Sequence, residues 1–82
     1  MAATLVCAKA DPDLGVPSRV LDLLGSHDCL PESFTFHREG SGFVLKAVIA
    51  DLPLAKAQLI LAKVRQIPGV RSAGPVALAA AS

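Results

Sequence analysis

The chain contains no asparagine, no tryptophan and no tyrosine, and its aromatic residues are three phenylalanines. It has two cysteines, Cys7 and Cys29, in no Cys-x-x-Cys pair. Each shortage excludes something. With His27 and His37 the cysteines match no zinc spacing, so neither a metal site nor a metal-carrying role is expected. Two distant cysteines in a chain without an export signal read as reduced thiols. Cys7, in an apolar run, is expected as a small buried hydrophobe. Phe34, Phe36 and Phe43 read as core residues, because the glycine-aromatic signature of RNA-binding sheets is missing. Lys46, Lys56, Lys63, Arg65 and Arg71 are scattered and the net charge is +1. That is not the dense basic face nucleic acid requires. No apolar run reaches the roughly 20 residues of a membrane helix, since Lys56, Lys63, Arg65 and Gln66 interrupt the longest one. Met1–Val6 has no basic start, and Lys9 and Asp11 cut off any signal-like core, so a cytoplasmic location is expected.

What is abundant is apolar side chain: 52% of residues are hydrophobic and the mean hydropathy is +0.53. Eighty-two residues make one domain, read as 1–82 with an ordered core of about 4–78. A chain this short buries only about 60% of the surface its unfolded form exposes. With membrane and secretion set aside, the apolar surplus is read as subunit contact.

Thr4–Lys9 reads as a central strand, apolar on both faces. Asp11–Val16 is a loop, and Pro17 suits a first helical position. Val20, Leu23 and Leu24 form a helical stripe that Gly25 should end. Ser33–Glu39 alternates, with Phe34 and Phe36 on one side and Thr35 and His37 on the other, as a half-exposed strand does. Gly40-Ser41-Gly42 turns it back into Phe43–Ala50 as a hairpin. Asp51 or Leu52 caps a second helix, with Asp51 the better chemical cap. Leu54, Ala57, Leu61 and Val64 line that helix, flanked by Ile60 and Ile67, and Leu59 lies opposite them. Pro68-Gly69 stops it, and Val70–Ala79 is a last strand that Pro75 assigns to a sheet edge.

The order strand, helix, strand, strand, helix, strand predicts an α+β fold. It is a ferredoxin-like βαββαβ sandwich, a four-stranded antiparallel sheet with two helices on one face. The first and third strands should be central. Val6, Ala8, Val44 and Val48 are expected on the face the helices leave open, where a second copy would cover them.

Asp13–Leu24 reads DLGVPSRVLDLL and Glu32–Phe36 reads ESFTF. Together they resemble the ACT domain, with Gly15, Ser18, Arg19 and Val20 at its first-helix motif and Glu32, Ser33 and Thr35 in its second strand. Val64–Val70 resembles the family's closing segment. The similarity runs from about Thr4 to Val76 and is nearest to the short regulatory small subunit of acetolactate synthase. The resemblance implies a non-catalytic regulatory module without a cofactor. It also implies a homodimer paired through Phe34, Thr35, Phe36 and His37, and a larger catalytic partner subunit. An amino acid would bind between Asp11, Asp13, Leu14, Gly15 and Val16 of one copy and Pro31, Glu32 and Ser33 of the other. Glycine admits close backbone approach, and a helix N-terminus favours a carboxylate. The chain departs from the pattern where Pro12 and Leu30 stand in place of asparagines and Leu14 in place of the proline before the glycine.

Other readings are weaker. Asp11 and Asp13 also suit turn chemistry, and Arg19 suits a solvated helix surface. His27-Asp28-Cys29 suggests a nucleophile, but adjacent turn residues seldom converge on one reacting atom. A βαββαβ acyl-phosphate hydrolase would need an arginine in the first loop and an asparagine for water. Asp11–Val16 holds no arginine, and the chain no asparagine. The competing non-enzymatic reading is an assembly subunit with a degenerate ligand site.

Overall fold

A computed structural model describes residues 3–77. The elements are β1 (Ala3–Ala10), α1 (Gly15–Ser26), β2 (Ser33–Glu39), β3 (Gly42–Ala50), α2 (Leu54–Arg65) and β4 (Val70–Ala77). The strands form one antiparallel sheet in the order β2-β3-β1-β4. The fold class, the two central strands and the edge position of the Pro75 strand are therefore as the sequence predicts. The expected Leu78 and Ala79 end of the last strand lies outside the described residues.

The register decides which face each residue serves. Val6, Ala8 and Ala10 stand opposite Ala47, Leu45 and Phe43, and all but the half-buried Phe43 belong to the buried core beneath the helices. Val16, Val20 and Leu24 of α1 and Ile60, Leu61 and Val64 of α2 close that core. Each such side chain contributes about 1.5–3 kcal/mol on removal from water. The intervening residues face away: Leu5 opposite Val48, Cys7 opposite Lys46, and Lys9 opposite Val44. Val6 and Ala8 are thus core residues and not part of the open face, which carries Leu5, Cys7, Val44 and Val48. Because side chains alternate strictly along a strand, naming one residue of a run wrongly flips its neighbours. Cys7 is only half-buried for the same reason, whereas Cys29 is buried.

Several boundaries move for physical reasons. Helix α1 starts at Gly15, with Pro17 buried in its first turn, where a missing N–H costs no helical bond. It runs through Gly25 to Ser26. Asp51 does not cap α2: it sits in the left-handed region at φ 54°, a conformation aspartate tolerates better than most. Pro53 occupies the cap position, and its carbonyl accepts the Ala57 N–H at 2.9 Å. Leu54, expected in the core stripe, is 74% exposed, whereas Ile60, expected at the flank of the stripe, is fully buried. Glu39 pairs with Gly42, so Gly40-Ser41 is a two-residue hairpin loop. Gly40, at φ 60°, supplies the positive φ such loops need.

Two glycines separate permissive from required positions. A Cβ at Gly42 would run into the Ala10 carbonyl oxygen, while one at Gly25 meets nothing within 4 Å. Gly25→Ala should therefore raise stability by a few tenths to about 1 kcal/mol. Gly42→Ala should lower it by more than about 1 kcal/mol, since the backbone must shift. Urea unfolding of the two variants checks both signs.

Candidate functional site

The β1–α1 loop is built by its own chain. The Asp11 N–H donates to the Gly69 carbonyl at 2.8 Å, and Arg71 Nε donates to Asp11 Oδ1 at 2.7 Å. The same guanidinium reaches the Ser41 carbonyl at 3.5 Å. Asp11 is thereby tied to the start of β4 and the β2–β3 hairpin. Gly69 has φ 97°, and a Cβ there would lie 2.9 Å from Val16 Cγ2, so glycine is needed where this loop packs. Arg71 is the residue in this clamp that sequence reading passed over; only its charge marked it.

Asp13 governs the helix start. Its Oδ1 accepts the Gly15 N–H at 2.8 Å, and its carbonyl accepts the Val16 N–H at 3.0 Å. Two of the unpaired donors a helix N-terminus presents are therefore satisfied internally. A Cβ at Gly15 would lie 3.2 Å from Asp13 Oδ1 and 3.5 Å from Arg19 Nη1. Asp13 and Arg19 thus stand beside the glycine, where a ligand would approach the backbone. Leu14 occupies the cap position without a side-chain bond and is 70% exposed. Val16 is fully buried and lines the core, not a surface site.

The other half of the expected site is remote within one chain. β1 and β2 both run antiparallel to β3, so they run parallel to each other. Asp11–Val16 follow the end of β1, and Pro31–Ser33 lead into β2 and include its first residue. These segments stand at opposite ends of the sheet. The Glu32 N–H donates to the Val48 carbonyl at 2.7 Å, and Ser33 pairs with Val48. Along β2, Phe34 packs against the core. Phe36, 43% exposed, meets Phe43 with ring centroids 5.5 Å apart. Thr35 and His37 lie on the open face, and His37 Nε2 is 3.3 Å from Glu39 Oε2. Apart from Phe34 every residue of β2 is exposed, and among the described residues nothing pairs with the strand's outer edge.

Beside the start of β2 lies an apolar cleft of about 440 Å³, lined by Leu21, Leu24, Gly25, Cys29, Leu30 and Pro31 with Asp28 at its rim. A smaller hollow of about 260 Å³ on the far side of Leu30 reaches Asp51, Leu52 and Lys56. Leu30 itself is 89% exposed. Sequence reading reached Pro31 here but missed the cleft. The available signal was Leu21, a leucine off the Val20-Leu23-Leu24 stripe. Among the described residues no three His, Cys, Asp or Glu side chains gather as a metal site, and no helix is long and apolar enough to cross a membrane.

No protein-family profile matches the chain, and no curated protein matches it. Solved structures do. The C-terminal domain of the MgtC protein from Mycobacterium tuberculosis superposes with a TM-score of 0.79 at 18% identity, covering 100% of this chain and 93% of that one. The ACT domain of the GTP pyrophosphokinase of Chlorobium tepidum gives 0.79 at 12% identity, covering 93% and 100%. A homoserine dehydrogenase from Thiobacillus denitrificans gives 0.78 at 11% identity; 95% of this chain matches 17% of that enzyme. At these identities the likeness defines the fold: this is a βαββαβ chain with the ACT-type architecture.

The loop geometry ranks its residues. Asp13→Ala should cost about 1 kcal/mol, the net worth of one exposed hydrogen bond from a backbone N–H to a carboxylate. Arg71→Ala should cost at most about 1 kcal/mol, because the Asp11 pair is half-exposed, and part of that cost should vanish in 1 M salt. Urea titrations at two ionic strengths measure both. A salt-insensitive Arg71 effect above 2 kcal/mol would contradict this ranking.

Proposed function

We propose that the chain is a non-catalytic regulatory module that dimerises through β2 and serves a larger catalytic subunit, in the manner of an acetolactate synthase small subunit. The observation that carries this reading is the unpaired, exposed β2 edge, together with the separation of the two site halves. An antiparallel pairing of β2 with β2 of a second copy reverses the second sheet end for end. The start of the partner's β2 then comes to the end of the sheet that holds Asp11–Gly15. A site divided in the monomer becomes whole in the dimer, twice over, as an isologous interface requires. Open strand edges also need a cover. The polar composition of the two halves suits an amino acid, and a ligand at a subunit junction can bias how the subunits sit.

A second reading has its own support. Asp13 already takes the Gly15 N–H and Arg19 stands beside it, and specificity in small-molecule sites rests on a few placed polar groups. A subunit that assembles without a ligand fits that observation. Thermal unfolding of the purified dimer against the common amino acids separates the two. A shift of several degrees with one of them supports a sensor, and a dimer with no shift supports an assembly subunit.

The pairing itself predicts an asymmetry between variants. Phe36→Glu should weaken dimerisation at least tenfold, and Lys56→Glu should leave it unchanged, as read by analytical ultracentrifugation. Equal effects would count against pairing through β2.

A further inference from the structure

Four of the six exposed large hydrophobic residues, Leu14, Leu21, Leu30 and Phe36, belong to α1, its flanking loops or β2. This is the flank that the proposed dimer joins. Leu21 and Leu30 line the apolar cleft of about 440 Å³, whereas Leu14 stands at the opposite end of α1. The two features are too far apart to meet within one chain. In the antiparallel β2 pairing, however, each Leu14 lies at the same end of the extended sheet as the other copy's cleft.

The spacing fits. Helix α1 leaves from the end of β1, and the partner's cleft adjoins the start of its β2. Three strand spacings separate those strands across the junction, roughly 14 Å at about 4.8 Å each. That separation leaves room for side chains of both copies between the first loop of one and the cleft of the other. The cleft offers Leu24, Cys29 and Pro31 as apolar walls, and Asp28 is the one charged residue in its lining. An apolar side chain is the occupant it suits.

We infer that Leu14 of each copy inserts into the Leu21/Leu24/Leu30 cleft of the other, so that the junction is filled by the protein itself. This rests on the β2 dimer proposed above. The residue that stands in place of the family's proline is then an anchor, exposed in the monomer and buried in the dimer. Apolar anchors seated in pockets carry much of the energy of interfaces.

The test uses the full chain with Cys7→Ser and Cys29→Ala, checked by circular dichroism for a native fold. Leu14→Cys and Leu30→Cys variants are prepared separately, mixed, allowed to exchange subunits and oxidised. The expected result is a disulfide-linked dimer from the mixture that mass spectrometry assigns to one chain of each kind, and little from either variant alone. Leu14→Asp, otherwise in the natural sequence, should weaken the dimer at least 30-fold by ultracentrifugation, while Leu14→Met stays within about threefold. A dimer that forms normally, gives no mixed disulfide and tolerates Leu14→Asp overturns this inference and leaves the β2 dimer standing. Leu14→Cys chains that link to each other overturn it as well, because the twofold sends them to opposite ends. A natural chain that stays monomeric at about 100 µM overturns both.

Discussion

Val6, Ala8 and Ala10 face Ala47, Leu45 and Phe43 across the centre of the sheet. That register is the constraint on which everything else depends. It sends one face of β1 and β3 into the core beneath two helices and leaves Leu5, Cys7, Val44 and Val48 on the other. It also makes β2 parallel to β1 through their shared neighbour. The β1–α1 loop and the start of β2 consequently lie at opposite ends of the molecule. No side-chain rearrangement within one chain can bring them together, so a site made of both has to be shared between copies.

The two ends are differently equipped. At one, Arg71, Asp11, Gly69 and Asp13 bind the loop to its own chain and satisfy the first donors of α1. At the other, leucines surround a cleft in which Asp28 is the one charged residue. In the dimer proposed above, a twofold axis would set the self-satisfied end of one copy, with its exposed Leu14, against the apolar cleft of the other, twice over. The assembly reading and the sensor reading of the junction differ in what occupies it, and they share that symmetry.

The fold was legible because its signals are local. The alternation of Ser33–Glu39, the glycine hairpin at Gly40–Gly42 and the Val20-Leu24 stripe each specify an element without help from the rest of the chain. Pro75 correctly marked an edge. The failures are tertiary. Leu5–Ala8 is apolar throughout, and the polar residues flanking it, Thr4 and Lys9, stand on opposite faces, so the run carries no consistent sign of which alternate residues face the helices, and the expectation that Val6 and Ala8 lie on the open side fails. Asp51 has good cap chemistry, but the turn out of β3 needs a left-handed residue there, and Pro53 is left to start α2. The site was legible only as segments. Asp11 and Asp13 had both a ligand reading and a turn reading, and the geometry uses them as turn and clamp residues. Arg71 lies 60 residues from Asp11 in the chain, beyond any local pattern. The cleft needed Leu21 and Leu30 to be brought together by the return of α1 to β2.

The most direct test of the shared site is hydrogen exchange across Ser33–Glu39 as a function of protein concentration. In a lone chain the β2 amides that do not bond to β3 point to solvent and exchange freely. Dimerisation through this strand predicts that those amides, and few others outside the α1 flank, gain protection as concentration rises through the micromolar range. Protection that is independent of concentration, or that appears on α2 or the open sheet face while β2 stays unprotected, would contradict it.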